Sequence, residues 1–222
     1  MKEEKLYIVL IRGNTVLSKL IRWTTQAEYT HAAISLDKDL NYMYSFSRRY
    51  TNNPFFGCFR NENFDEGVYA NFCKIPGSIF ELTVTKDEYN HVSSIIADFL
   101  VNQHLYKYNY LGLVSNLAKI NISRHNRFFC SEFVYHVLHK CGICDFGLPR
   151  SFVRPENLAQ MIDGRIIYEG DLRQYVKAIS LNKCINGNMC ANSKFIYYIC
   201  GFLTFLYFAG YIIGSLVAHM TL

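Results

Sequence analysis

The chain has 222 residues, half of them hydrophobic and 18% charged, with a formal net charge of +5. That length and apolar content support one or two domains with a sizeable core, and no repeat or low-complexity tract interrupts them. Lys and Arg are scattered among acids with no aromatic residues set in a basic stripe, which argues against nucleic acid as a partner.

Lys2 to Lys5 are charged, and the apolar run of residues 6–11 behind them stops at Arg12. Such a run is too short for the core of a secretory signal and reads as an internal strand. With no export route in view, the eight cysteines are expected to be reduced thiols rather than a disulfide framework. Residues 16–24 follow as a helix. Residues 29–36 read as a short buried strand with His31 near its head, closed by the turn Asp37-Lys38-Asp39. Residues 42–46 pair with it as a hairpin, bringing Ser45, or less favourably Tyr44, towards the histidine. Residues 48–73 form a long excursion between strands, aromatic enough to wall a groove. A strand over 78–84 leads into Thr85-Lys86-Asp87-Glu88, a capping box that opens a helix through Val101. Tyr89, Val92, Ile96 and Phe99 mark its buried stripe, while His91 and His104 are read as surface residues. Arg124, His125 and Arg127 form a small basic cluster, read as a solvated loop. A late strand spans 165–169.

Phe128-Phe129-Cys130-Ser131-Glu132-Phe133-Val134 is the most informative stretch. From Cys130 onward, Phe133, Val134, Val137, Leu138 and Cys141 fall on one helical face, and Gly142 offers a common helix terminator. A thiol in the first turn of such a helix sits at the positive end of the backbone dipole, which favours thiolate. Cys130 is therefore a candidate nucleophile, the alternative being a small buried side chain at a helix start. A nucleophilic cysteine needs an adjacent base oriented by a third polar group. His31 is the candidate base and Ser45 the candidate orienting group. The lone CxxC of Cys141 and Cys144 is half of a zinc site with His136 or His139, a redox pair, or simply a cysteine-bearing helix end. No second CxxC follows at ribbon spacing, so no metal or other cofactor is expected.

From Phe195 to Ala218 there is no charged residue. At about 1.5 Å per residue this stretch is long enough to span a bilayer core of about 30 Å. Tyr197, Tyr198 and Tyr211 suit interfacial positions, and Lys177, Lys183 and Lys194 put the preceding side in the cytoplasm. A buried core helix is the alternative. Gly210 and Gly214 form a GxxxG pair, a candidate homodimer contact. The expected organisation is a catalytic domain over 1–177, a polar linker over 178–194 and a single C-terminal transmembrane anchor over 195–218. Cys184 and Cys190 in the linker are candidates for lipidation.

The order of histidine strand before cysteine helix resembles the permuted, NlpC-type, papain-like cysteine hydrolases of the YaeF/YiiX/YebB group. Thr30, His31, Ala32, Ala33 and Ile34 match the histidine strand, and Phe129 through Val134 match the cysteine motif. Lesser agreement includes Tyr108 through Leu113 and the turn Pro155-Glu156-Asn157-Leu158. The resemblance covers roughly residues 5–175. It implies an α+β fold, an antiparallel sheet packed with helices, and amide hydrolysis through a Cys–His thioester. Many members carry a carboxylate after the second strand where this chain has Ser45. A second permuted class, the lecithin:retinol acyltransferase-like enzymes, shares the His-before-Cys order and often a C-terminal membrane helix. Its Asn-Cys-Glu-His-Phe motif is not matched. A thiol acyltransferase or lipid esterase, and a catalytically inactive membrane-bound binding module, stay open beside the amidase or peptidase. The expected partners are thus a peptide or lipid substrate and the membrane.

Overall fold

The structure, a computed structural model, describes residues 2–13, 18–19, 22–23, 26–50, 53–112 and 124–183. Residues 1–176 form one compact unit, and a second begins at Lys177. Its main element is a six-stranded antiparallel sheet of β1 (Glu3–Ile11), β2 (His31–Ser35), β3 (Met43–Tyr50), β4 (Asn53–Asn61), β5 (Pro76–Thr85) and β8 (Arg165–Asp171). The strands lie in the order β4-β3-β2-β1-β5-β8. A short parallel pair, β6 (Lys107–Tyr108) and β7 (Arg127–Phe128), stands apart from it. The mixed α+β class and the antiparallel sheet agree with the sequence reading.

Strand β1 lies inside the sheet and is covered on both faces. Leu6, Ile8 and Leu10 enter one core, while Tyr7, Val9 and Ile11 enter the other. Alternation sends successive side chains to opposite faces, so a strand buried on both reads as a continuous apolar run. Helices α1 (Lys86–Val101) and α2 (Cys130–Lys140) cover the first face. Thr85 caps α1 with the expected box: its side chain accepts from the Glu88 N–H at 3.2 Å, and the Glu88 carboxylate accepts from the Thr85 N–H at 2.7 Å. Val92, Ile96 and Phe99 of α1 are buried, and Phe99 joins Phe46, Phe59, Phe128 and Phe133 in an aromatic cluster. His91 and His104 are exposed.

Three expectations need correction. The stretch over 48–73 holds a full strand, β4, hidden from sequence pattern by Pro54 and Gly57. As an edge strand it tolerates a proline that lacks an N–H donor. Gly57 is required there, because a Cβ would lie 2.3 Å from the Tyr108 ring. The closing turn at Pro155 is a helix, α3 (Pro155–Met161), with the proline in its first turn. Residues 172–183 are helical, so the start of the linker expected from 178 is helical as far as 183.

The membrane helix expected over 195–218, with Gly210 and Gly214, and the linker cysteines Cys184 and Cys190 lie outside the described residues. Among the described residues no helix is long and apolar enough to cross a membrane. Of the helix expected over 16–24, residues 18–19 and 22–23 are described, and they are helical.

The packing at Gly57 makes a direct test. Gly57→Ala forces β4 and Tyr108 apart and is expected to destabilise the protein by about 1–3 kcal/mol, read as a lower urea midpoint at unchanged m-value.

Candidate active site

The candidate nucleophile is the first residue of α2. Cys130 is 6% exposed, and the whole first turn around it is buried, including the polar Ser131 and Glu132. Each polar group there has a partner. The Ser131 hydroxyl donates to the Val153 carbonyl at 2.8 Å. The Glu132 carboxylate accepts from Asn109 Nδ2 at 3.1 Å, from the Phe129 N–H at 3.3 Å and from Arg150 Nε at 3.0 Å. Burial pushes the Glu132 carboxyl up, while Asn109, Arg150 and the Phe129 amide favour its ionised form. Arg150 also stacks over the Phe128 ring at 4.4 Å and donates to the Arg124 carbonyl. The basic stretch before Cys130 thus offers an exposed carbonyl to Arg150, the side chain that also pairs with buried Glu132 at the start of α2.

The candidate base is the first residue of β2. His31 pairs in register with Ile11, the last residue of β1, so its ring sits at one end of the sheet. Its Nε2 lies 3.0 and 3.2 Å from the two carboxylate oxygens of Glu62. Cys130 lies close enough to the ring to raise its pKa. With Nε2 engaged by the carboxylate, Nδ1 is the nitrogen left for the sulfur. Both residues line the same cleft.

Glu62 is the residue that sequence reading missed. It follows directly on β4, its N–H donates to the Met43 carbonyl at 2.7 Å, and its side chain is 1% exposed. Ser47 helps to favour its ionised form, and the Tyr69 hydroxyl stands 3.5 Å away. Ser45, the expected orienting group, is turned away: it is fully buried and its hydroxyl donates to the Ala32 carbonyl at 2.7 Å. Tyr44 stacks on Phe59 in the core. A carboxylate was implied by the family resemblance but sought after the second strand. It comes instead from the end of β4, and without β4 recognised Asn61-Glu62-Asn63 read only as loop.

The electrostatics of the pair follow from its burial. Desolvation pushes His31 towards neutrality, but the Glu62 carboxylate and Cys130 outweigh it and raise its pKa from 6.5 to about 10. Burial likewise opposes ionisation of Glu62, yet His31, Ser47 and Arg60 hold its pKa below the ordinary 4.5. The cleft beside the pair is walled by the excursion between β4 and β5, through Val68, Tyr69, Phe72 and Ile75, with Phe46 and Tyr108 beneath. Arg173 clamps that wall: it donates to the carbonyls of Phe64 and Tyr69 at 2.7 Å each and pairs with Asp65 at 2.8 Å.

Cys141 and Cys144 are free thiols at the far end of α2. Burial pushes them up to about 11 and about 12, helped by Glu88 and by Asp145 respectively. His136 is pushed down to about 4 by burial and by neighbouring cations. No group of three or more metal-ligating side chains is gathered among the described residues.

The His31–Glu62 pair sets a pH window. A raised histidine pKa contributes stability fully below pH 6.5 and loses it as pH rises towards about 10. A lowered glutamate pKa contributes above 4.5 and loses it as pH falls further. Histidine ring NMR is expected to show His31 protonated through neutral pH. In Glu62→Gln the midpoint is expected to drop by more than about one unit, because burial then acts with less opposition.

No protein-family model matches the chain, and no curated protein matches it either.

Proposed function

We propose that the protein is a cysteine hydrolase of the permuted papain-like, NlpC type, in which Cys130, His31 and Glu62 act as a triad. The observation that carries this reading is one imidazole that is bonded to a buried carboxylate and shares a cleft with a helix-start thiol. A nucleophile, a base in contact with it and a third group orienting the base are what acyl transfer to sulfur requires. The Cys130 thiolate attacks the substrate carbonyl carbon, and the C=O electron pair moves onto oxygen. The backbone N–H of Cys130, at the start of α2, is aimed to stabilise that oxyanion. On collapse of the tetrahedral intermediate the His31 imidazolium gives its proton to the leaving amine or alkoxide, leaving a thioester. Neutral His31 then deprotonates water, which attacks the thioester and returns the thiol. Glu62 holds the ring in place and stabilises the imidazolium throughout.

The substrate class is an amide or an ester. The apolar wall of Val68, Tyr69, Phe72 and Ile75 favours an acyl group with a substantial apolar part, as in a lipid ester or lipidated amide. The uncharged stretch over 195–218 supports a membrane tether with the catalytic domain on the cytoplasmic side, and membrane attachment fits such a substrate.

Cys130→Ala is expected to abolish turnover of an activated acyl ester with the fold intact by circular dichroism. Parent-like hydrolysis by that variant rules the assignment out. Glu62→Gln is expected to lower kcat by about 100-fold or more, and Ser45→Ala to leave it within about threefold. The reverse order would return the orienting role to Ser45. Iodoacetamide labelling at about pH 6 separates an enzyme from an inert binding module, since ordinary thiols are almost wholly protonated there. Cys130 is expected to react first, well ahead of Cys141 and Cys144. Uniform slow labelling favours the binding module.

A further inference from the structure

Besides His31, the charged side chains facing the cleft are Arg12, Arg60, Glu62, Glu66 and Lys74. Two of them are committed. Arg12 pairs with Glu28 and, at 2.7 Å, with Glu169, and Glu62 is held by His31. Neither Arg60 nor Lys74 enters an ion pair among the described residues.

The two cations stand at opposite ends of the excursion that walls the cleft. Arg60 lies near the end of β4, just before Glu62, and Lys74 lies just before β5. The Arg60 guanidinium has a backbone partner and a close turn beside it. Its Nε donates to the Asn61 carbonyl at 3.3 Å, and its Nη1 lies 3.1 Å from where a Cβ on Gly67 would sit. Gly67 itself has φ +59, so the turn passes close beneath the guanidinium with no side chain in the way. Between the two cations the wall presents Val68, Tyr69, Phe72 and Ile75 with Asn63 beside them, and both Lys74 and the one acid not committed elsewhere, Glu66, are exposed.

We propose that this cleft selects substrates whose acyl part carries an anionic group, a carboxylate or a phosphate, read by Arg60 and Lys74. The apolar wall takes the body of the acyl group, and the two cations take its charged end. A guanidinium is suited to planar or tetrahedral oxyanions, and an ammonium adds a point charge. The inference rests on the cysteine-hydrolase reading for its kinetic test, but recognition itself is separable from chemistry.

The test uses the full chain in detergent micelles and four 4-nitrophenyl acyl esters of matched length, ending in carboxylate, phosphonate, neutral amide or ammonium. At least one anionic ester is expected to exceed the neutral one about tenfold or more in kcat/KM. That ratio is expected to fall below about threefold in Arg60→Gln/Lys74→Gln, and to shrink in about 0.5 M NaCl. An Arg60 that merely polarises Glu62 would slow all four esters alike and leave the ratio intact. Equal rates in the parent, a preference for ammonium, or a double variant that keeps the preference overturns the proposal. The carboxylate and phosphonate arms distinguish a peptide-like acid from a phospholipid-like one. If no ester leaves an acyl adduct on Cys130, the hydrolase reading fails by itself. Calorimetry with the corresponding non-hydrolysable amides then decides recognition. Tighter binding of the anionic amide, lost in the double variant, supports it, and equal affinities in the parent overturn it.

Discussion

An ionised carboxylate inside a protein is costly unless a cation lies against it, and Glu62 is almost wholly buried beside His31. Each member of the pair makes the other tolerable in its charged form. Removing one leaves an uncompensated charge rather than a neutral gap, so the pair behaves as a unit. The same contact has a geometric consequence. It fixes one ring nitrogen on the carboxylate and leaves the other for the cleft that Cys130 also lines. The orientation of the ring is thus built from a folding constraint.

The sheet explains why these three residues can meet at all. Helix α2 lies on one face, and the chain between β4 and β5 closes over the other. The place where both can be reached is the end of the sheet at which β1 finishes and β2 begins. His31 stands at that end, Cys130 comes from the helix layer, and Glu62 arrives as β4 runs out. The surrounding anchors are polar and local. Glu132 with Asn109 and Arg150 sets the helix start, while Arg173 holds the wall through two carbonyls and Asp65. A site whose parts come from three separate elements in two layers needs such anchors to keep those parts in register.

Much of the framework was legible from residue pattern. The capping box at Thr85, the stripe of α1, the helix at Cys130 and the strand at His31 each follow from a local rule: period, cap or terminator. The failures have equally specific causes. Pro54 and Gly57 conceal β4, since both are normally strand breakers: the sheet edge tolerates the proline, and the close Tyr108 ring requires the glycine. Glu132 carried no burial reading, because the Asn109 and Arg150 that meet it in the interior come from distant segments. Ser45 lay opposite the histidine strand in sequence logic, but its hydroxyl satisfies the Ala32 carbonyl across the hairpin.

By itself the sequence determined the secondary elements with strong periodicity and two chemically distinctive side chains, Cys130 and His31. Those signals are encoded within a few neighbouring residues. Which carboxylate faces the imidazole, and which charges face the cleft, were decided only when β4 joined the sheet edge and the chain after it folded back. A long-range contact leaves no local period to read, and its energy depends on burial that exists only in the assembled core.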